Sequence, residues 1–512
     1  MPSVQTILCS LRDRTVPQDR RIDKKALLLI AALSFVAVTI CSKCSPLYPL
    51  NNWDDANCFF TVGKSMLHDR TLYQDIFEQK GPLLYFIYAA AYLISDNSFF
   101  GVYLLEIAAG FFYLLLCAKT MLLLCEKRVL FLLPLLTLTV YSSPAFEQGG
   151  SAEEFCLPLL MYSIYVSVKA IVLETPVGKR EWLLIGITSG GVLWIKFTML
   201  GFYFGLGLFM LFYYALNRWG KELVYFLVFL LLGEVIMAVP IFLYFWIHNA
   251  ISYLFEVYFY CNLFLYPVTT MDNKLLSLLL NLRTGFASYL YNFWISFLLM
   301  LIGLPYLWLR SKRLSAVFIM TSLCTFLMIY AGGRCYTYYS LPMALFMPAG
   351  LIALDRLWFT AQQASAAPCV WVLRKKITGA VLTTVIGILL LIAISPNTYM
   401  LGYRKEQLPQ YQFSEIITRT KEATLLNYGF LDGGFYLTSE TTPVCRFFCE
   451  LNIPVAQHEQ EAYIQQATTD YVVTRDRLLN SSQYELVTAG QFETRRSSYN
   501  TFYLYQRKTQ TV

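Results

Sequence analysis

The segment NNWDDANCFFTVGKSMLHDRTLYQDIFEQKGP, residues 51–82, decides how the rest of the chain is interpreted. It follows the first long apolar run and precedes another very apolar stretch. Two adjacent acids, Asp54 and Asp55, stand near its start, directly after Trp53. Ionisable residues beside membrane-length apolar segments are costly and are functional candidates. We therefore predict an outward-facing loop that carries a catalytic carboxylate.

Composition indicates a membrane protein. The 512 residues are 57% hydrophobic and only 14% charged, with a mean hydropathy of +0.51. Soluble domains carry about a quarter charged residues. The net charge of +7 resides mostly in short basic clusters between apolar runs, as in cytoplasmic loops, and does not indicate a nucleic-acid partner. We therefore predict a mainly α-helical, polytopic bundle in the lipid bilayer.

Basic clusters predict the topology. If all of them are cytoplasmic, neighbouring clusters are joined by an even number of crossings. Three apolar runs separate Lys25 from Lys127, and the shortest, 82–95, is therefore predicted to be an interfacial helix. The eleven predicted spans are 26–42, 99–124, 129–146, 155–173, 182–199, 201–216, 223–246, 288–309, 314–331, 340–358 and 377–395.

The topology divides the chain into three parts. Residues 1–25 form a cytoplasmic segment, 26–395 a transmembrane module, and 396–512 a small extracytoplasmic α/β domain. The module has a large first outer loop, 43–98, with surface helices near 54–68 and 82–95, and a second outer loop, 247–287, without a span. Strand-like pieces of the more polar tail are Phe435–Thr438, Asp470–Thr474 and Thr501–Tyr505.

Cysteine and carboxylate spacing predicts no cofactor. The thirteen cysteines are scattered, and the one CxxC, Cys41–Cys44, has no second cysteine or histidine pair at zinc-type spacing beside it. No DxD-type spacing supports a divalent metal. Cys445 and Cys449 lie outside the predicted spans, four positions apart, and a disulfide between them is one interpretation. The other cysteines are interpreted as small core residues.

Each of two acidic pairs has two interpretations. In one interpretation, Asp54 or Asp55 is the general base for a hydroxyl nucleophile. In the other, the pair begins a helix, where Asp is favoured at the N-cap and by the helix dipole. Glu153 and Glu154 also begin a predicted helix. With Ser151 as N-cap and Glu154 at the third helical position they fit a capping box, the stronger interpretation there.

Two cations stand at the predicted outer ends of helices. Lys196 interrupts an apolar run, and either reaches the lipid headgroups or binds a lipid phosphate. Arg334 suits bidentate phosphate binding. Tyr336, Tyr338 and Tyr339 follow it, and either contact a substrate or belong to the interfacial aromatic belt. Two acidic turns and two cations on one side suit a phosphate-bearing lipid substrate and a reaction that needs a base.

These motifs together resemble a known family. WDDA at 53–56 and D-x-F-x-x-K-G-P-L-L-Y at 75–85 are similar to the first outer loop of the C-type membrane glycosyltransferases. The nearest group is the protein mannosyltransferase and aminoarabinose–lipid A transferase superfamily, in its bacterial cell-envelope members. Supporting motifs are EEFCLP at 153–158, GVLWIK at 191–196 and RCYTYYSLP at 334–342. As architecture, the resemblance covers about residues 1–350.

The resemblance implies transfer of a sugar from a polyprenyl-phosphate donor to an envelope glycan, lipid or protein, on the outer face of a bacterial plasma membrane. Asp54 matches the family's catalytic acid, while Lys196 and Arg334 fall where family cations meet the lipid phosphate. A single displacement with Asp54 as base would invert the sugar carbon. The expected catalytic residues are Asp54, Asp55 and Glu154, and the expected substrate-binding residues are Lys80, Glu153, Lys196, Arg334, Tyr336, Tyr338 and Tyr339.

Two other classes of protein remain open on the sequence. A flippase or other transporter of lipid-linked sugars needs polar residues along a continuous path through the bundle. A non-catalytic envelope assembly protein would use the outer tail as its binding module. An enzyme instead needs Asp54 at an outward cleft, with cations nearby.

Overall fold

The computed structural model describes residues 21–268, 272–364, 376–450, 453–493 and 499–508. Residues 1–20 of the predicted N-terminal segment lie outside these ranges, as do Arg374 and Lys375 of the basic cluster that precedes the last predicted span. The helices are α1 Lys24–Cys41, α2 Asp54–Met66, α3 Pro82–Ile94, α4 Phe100–Leu122, α5 Leu133–Tyr141, α6 Ala152–Leu173, α7 Lys179–Ile195, α8 Leu200–Leu216, α9 Gly220–Ile247, α10 Lys274–Arg310, α11 Lys312–Tyr330, α12 Met347–Ala364, α13 Lys376–Ile394, α14 Pro409–Ile417, α15 Phe435–Thr438 and α16 Pro454–Gln465.

The chain is a polytopic helix bundle, as predicted. Within the described ranges, eight helical segments are long and apolar enough to cross a membrane. They are Lys24–Cys41, Phe100–Leu122, Ala152–Leu173, Phe197–Leu216, Gly220–Ile247, Lys274–Arg310, Lys312–Tyr330 and Thr337–Phe359, the last of which joins the 3₁₀ segment Thr337–Phe346 to α12.

The structure does not confirm the predicted count of eleven spans. Helix α5 has nine residues, preceded by the 3₁₀ segment Lys127–Leu132, where a span was predicted over 129–146. Nine residues rise only about 14 Å, against a hydrocarbon core of about 30 Å. Helix α7 has 17 residues, and the apolar segment described in α13 is Val385–Ile394.

The helix predicted to span 288–309 begins earlier, inside the predicted second outer loop, 247–287. Helix α10 begins at Lys274, fourteen positions before the predicted start at 288. The Asn273 side chain caps it by accepting hydrogen bonds from the backbone of Leu275 (3.0 Å) and Leu276 (3.2 Å). The helix bends at Phe293, where φ is −148°, so its first part is a separate amphipathic arm that hydropathy alone assigns to a loop. A π-helix, Leu254–Leu265, precedes it.

The two helices predicted in the first outer loop are present as α2 and α3. Asp54 and Asp55 occupy the first turn of α2, where carboxylates favour the dipole. A side chain at Gly63 would bring its Cβ within 2.7 Å of the Ala89 backbone nitrogen, so glycine permits the contact between α2 and α3. Helix α3 has thirteen residues, about 20 Å of rise, which is short for a span.

Helix α2 lies between the bundle and the C-terminal domain. Its residues Asp54, Cys58, Thr61 and Lys64 are spaced by three or four positions, so they share one face, which we name the docking stripe. Every member contacts the C-terminal domain: Asp54 contacts Arg475, Cys58 contacts Cys449, Thr61 contacts Asp432, and Lys64 contacts the backbone of Thr441. Another face packs on the bundle, with Phe59 against Tyr85 and Tyr88.

The C-terminal part contains a four-stranded sheet, in agreement with the predicted α/β class. Its strands are β1 Leu425–Tyr428, β2 Tyr471–Arg475, β3 Tyr484–Glu493 and β4 Tyr499–Arg507, in the order β1-β2-β4-β3. The β1–β2 pair is parallel, and the other two pairs are antiparallel. The predicted strands Asp470–Thr474 and Thr501–Tyr505 are confirmed as β2 and β4.

The predicted strand Phe435–Thr438 is wrong, because these residues form the short helix α15. Its aromatic and β-branched residues suit a strand by composition. However, Gly434 precedes it with φ +90°, a left-handed conformation that turns the chain directly into the helix. The Phe435 ring then packs on Phe413 and Phe502 in the domain core.

Candidate functional site

The KGP motif brings two lysines to one place. Pro82 occupies the first position of α3, where its missing N–H costs nothing. The Gly81 N–H donates to the Ile195 carbonyl at 3.1 Å, and a Cβ on Gly81 would collide with the Trp194 carbonyl. Glycine is therefore needed for the loop to lie against the end of α7. This contact places Lys80 beside Lys196, which follows α7 in extended backbone.

Three cations from separate segments line one cavity of about 260 Å³. They are Lys80, Lys196 and Arg334, and we name this space the cationic cavity. Its polar wall includes Asn262, Tyr266 and Tyr339, and its apolar wall includes Ile195, Phe197, Leu263, Pro267, Met328 and Ile329. A cluster of positive charge inside a mainly apolar wall suits an anion carried by an apolar chain.

Lys196 is held by an acid and by aromatic rings. Its Nζ forms an ion pair with Glu153, and both side chains are buried. The same Nζ lies 3.8 Å from the ring centroid of Tyr339 and 5.2 Å from that of Tyr338. Such contacts stabilise a desolvated cation. Glu153 is thus the partner of Lys196, and it does not itself line the cationic cavity.

Lys80 has a second buried carboxylate beside it. Its Nζ lies 4.0 Å from Glu78 Oε1 and 5.5 Å from the ring centroid of Phe59. Burial lowers the pKa of Lys80, but the carboxylates of Glu78 and Asp55 more than offset this, so the pKa stands well above its ordinary value. Burial also raises the pKa of Glu78, which accepts a hydrogen bond from the Tyr85 hydroxyl. These carboxylates therefore favour the charged form of Lys80.

The remaining predicted binding residues form an aromatic group. Tyr336 stacks on Tyr338, with centroids 5.6 Å apart and planes 7° apart, and Tyr339 contacts both rings edge-on. Arg334 lies over the ring of Tyr266 at 4.6 Å and donates from Nε to the backbone carbonyl of the same residue at 3.4 Å. Of the three predicted tyrosines, Tyr339 lines the cationic cavity.

Asp54 and Asp55 point to different neighbours. Asp55 Oδ2 accepts a 2.7 Å hydrogen bond from the hydroxyl of Tyr338, whose ring also contacts Trp53 at 5.1 Å. Asp54 Oδ2 instead accepts a 2.8 Å hydrogen bond from the guanidinium of Arg475, at the end of β2. Asp55 thus faces the bundle and the aromatic group, while Asp54 faces the C-terminal domain.

Asp54 opens into a second cavity, of about 370 Å³, between the bundle and the C-terminal domain. We name it the polar cavity. Its lining side chains include Lys43, Asn52, Trp53, Asp54, Glu147, Asn397, Arg475 and Asn500. The Asp54 side chain is 23% exposed. Burial raises the pKa of Asp54 above its ordinary value, against the lowering effect of Arg475. A raised pKa makes a carboxylate a stronger base.

Glu154 lies with another buried acid. Its backbone N–H donates to the Ser151 hydroxyl at 3.1 Å, the first half of the predicted capping box. Its carboxylate accepts from the backbone of Gly150 at 3.1 Å, and Gly150 also donates to Glu106 at 2.7 Å. Ser42 donates to Glu106 as well. Glu154 lines neither the cationic cavity nor the polar cavity.

The structure adds residues that the sequence did not indicate. Arg475 lies 421 positions from its partner Asp54, so no local spacing connects them. Asn262 and Tyr266 belong to the predicted second outer loop, whose aromatic stretch NLFLYP was the available signal. Within the described ranges, no three His, Cys, Asp or Glu side chains come together as a metal-binding group.

Comparison with known proteins identifies the fold. The sequence matches no protein-family model and no curated protein. The crystal structure of ArnT from Cupriavidus metallidurans bound to undecaprenyl phosphate matches with a TM-score of 0.57 and 12% identity, over 94% of this chain and 98% of that chain. The apo structure of the same protein matches with the same TM-score and identity, over 93% and 97%. The chain therefore has the polytopic membrane fold of the ArnT structures.

Proposed function

We propose that the protein is an inverting glycosyltransferase that moves a sugar from a polyprenyl-phosphate donor to a hydroxyl group of an envelope glycan, lipid or protein. The cationic cavity is the observation that carries the proposal. It combines three cations with an apolar wall, as a phosphate on a prenyl chain requires. The fold it shares with ArnT, a structure of which is bound to undecaprenyl phosphate, supports the same ligand class.

In this proposal, Lys80, Lys196 and Arg334 bind the donor phosphate. Neutralising that phosphate makes it a good leaving group, so no general acid is needed. Asp54 accepts the proton of the acceptor hydroxyl while the bond between the sugar carbon and phosphate breaks. Asp55 orients Tyr338, whose ring contacts Trp53 of the polar cavity and Tyr339 of the cationic cavity. A single displacement of this kind inverts the sugar carbon.

The acceptor reaches Asp54 through the polar cavity. Asp54 lines it, together with residues of both the bundle and the C-terminal domain. Arg475 favours the charged form of Asp54 and fixes the direction of its carboxylate. The C-terminal domain is therefore part of the proposed site. We place the site and that domain on the outer face of a bacterial plasma membrane, because the basic clusters then face the cytoplasm.

The direct test is release of polyprenyl phosphate from polyprenyl-phosphate sugars by the purified protein. We expect Arg334→Ala to raise the Michaelis constant for the donor about tenfold to a hundredfold, since hydrogen bonds to charged groups contribute about 1.5–3 kcal/mol. Arg283→Ala is the matched control, because Arg283 is exposed on α10 and does not line the cationic cavity. No release from any donor, or wild-type kinetics in Arg334→Ala, would contradict the proposal.

Arg475→Gln is expected to change the pH dependence of the reaction. Arg475 lowers the pKa of Asp54, so its loss raises that pKa. A base must be unprotonated, and activity will therefore fall off at a higher pH in the variant than in the wild type. At alkaline pH the two should converge. The other charged groups near Asp54 are Asp55, Asp432, Lys43 and Glu147.

Two variants control this pH experiment. Arg475→Lys keeps the positive charge and should restore most of the wild-type profile. Arg477→Gln removes a nearby arginine that pairs with Glu450 at 3.7 Å, and should leave the profile unchanged. An unshifted acidic limb in Arg475→Gln would show that Arg475 does not act through Asp54.

A further inference from the structure

Two buried thiols meet where α2 contacts the C-terminal domain. The sulfur atoms of Cys58 and Cys449 lie 3.7 Å apart, although the residues are 391 positions apart in the sequence. Both side chains are almost fully buried, at 2% and 0% exposure. Both are free thiols in the structure. Neither lies in one of the helical segments long enough to cross a membrane.

The interpretation of Cys445 and Cys449 as a disulfide is not supported. Both are free thiols, and they belong to different apolar clusters. Cys445 packs with Val472 on one side of the sheet, whereas Cys449 belongs to the main core. Four positions in sequence therefore separate two side chains with different surroundings, and the neighbour of Cys449 comes from α2.

The position of Cys58 on the docking stripe makes its contact part of an interface. One turn before it, Asp54 pairs with Arg475, and one turn after it, Thr61 donates to Asp432 at 2.6 Å. Contacts on both sides fix the helix against the domain, so the two sulfur atoms are held in register. The pair therefore lies within the surface where α2 contacts the C-terminal domain.

We propose that Cys58 and Cys449 are a dithiol–disulfide site that covalently fastens the C-terminal domain to α2. A disulfide needs a sulfur–sulfur distance of about 2.05 Å, and at 3.7 Å the two sulfur atoms are already in van der Waals contact. The inference does not rest on the proposed glycosyl transfer. It concerns only how the two parts of the chain are joined.

The oxidation is a thiol–disulfide exchange with a disulfide oxidant, either a small molecule or a thiol oxidase. The thiolate of one cysteine attacks the oxidant, giving a mixed disulfide and releasing one thiol. The other cysteine, as thiolate, then attacks the protein sulfur of the mixed disulfide and releases the second thiol. In total, the two cysteines lose two electrons and two protons, and the oxidant is reduced to two thiols.

Burial decides when this exchange can occur. It raises the pKa of both thiols, so few thiolates form while the domain is docked. It also keeps the oxidant from the sulfur atoms. The bond therefore forms before docking or during transient separation of the domain from α2. Once formed, the disulfide holds the domain in place, because burial also keeps reductants from its sulfur atoms.

Peptide mapping of the purified full-length protein tests the proposal. The protein is incubated with oxidised glutathione under mild denaturant, which is then removed, and free thiols are alkylated before proteolysis. We expect a peptide containing Cys58 linked to a peptide containing Cys449, two hydrogens lighter than their sum. Dithiothreitol should separate them. Because the wild-type protein is mapped, the result does not depend on a variant that folds.

Variants identify the partners. Cys58→Ser and Cys449→Ser should each abolish the cross-link, whereas Cys445→Ser should retain it. The oxidised wild type should also resist proteolysis between the two parts better than the reduced protein, and this difference should vanish in Cys58→Ser. Full alkylation of Cys58 and Cys449 after oxidation, or a cross-link between Cys445 and Cys449, would overturn the proposal.

Discussion

Replacing Asp54 with Asn is expected to lower turnover by about 10²–10⁴-fold, the usual contribution of a positioned base. The variant should fold and bind the donor, since Asn keeps the size of the side chain and can still accept a hydrogen bond from Arg475. It cannot take the proton of the acceptor hydroxyl. That proton moves only as the bond to phosphate breaks, so position matters more than basicity. Single-turnover assays at saturating donor measure the loss.

Asp55→Asn is the matched control. The next helical position points about 100° away, and Asp55 indeed contacts Tyr338 rather than Arg475. An amide can keep accepting that hydrogen bond, and we expect a smaller loss of turnover. If Asp54→Asn keeps near-normal turnover while Asp55→Asn is inactive, the base is Asp55 and not Asp54. If both remain active, the enzymatic interpretation of this loop fails.

Of the substitutions proposed for the site, Lys196→Ala should lower the free energy of unfolding most. Removing one partner of a buried ion pair leaves an uncompensated charge and costs about 3–5 kcal/mol. Here the orphan would be Glu153, whose side chain is only 2% exposed. The cation also contacts the rings of Tyr338 and Tyr339. Unfolding in mixed detergent micelles measures the free-energy loss, and donor titration measures the second role of Lys196.

A double variant separates the two roles of Lys196. Lys196→Met with Glu153→Gln removes both charges and should recover much of the lost stability. Donor affinity should remain reduced, because the phosphate has lost a cation. Wild-type stability in Lys196→Ala would show that the ion pair contributes nothing. Wild-type donor affinity in the double variant would show that Lys196 does not bind the donor phosphate.

The sequence predicted the fold where the physical signal is local. Long apolar runs have few structural solutions. In the first outer loop, α2 was located by the acids at its start and α3 by the length of its apolar run. Prediction failed where the backbone conformation at one residue determines the element around it. The bend at Phe293 makes one helix of two dissimilar segments, and Gly434 turns a strand-like tetrapeptide into helix. Hydropathy and propensity carry no information on either event.

The residues of the candidate site were likewise predicted only in part. Lys196 and Arg334 were recognised because an isolated cation beside apolar residues is conspicuous in a sequence. Lys80 was recognised only through the KGP motif, and all three line the cationic cavity. Arg475 is an ordinary charged residue at the end of a strand, and only folding brings it to Asp54. Glu106 was missed because one acid within a long span looks isolated until Glu154 is placed beside it.

Helix α2 differs from most helices of its length because the ten residues from Ala56 to Ser65 are all buried. A helix with a water-facing side can accumulate harmless substitutions there, whereas α2 has no such side over this stretch. The bundle and the C-terminal domain enclose α2, and the sequences of their contact surfaces can therefore diverge only together. A chimaera that exchanges the C-terminal domain for that of a relative should fail to assemble unless the docking stripe of α2 is exchanged with it.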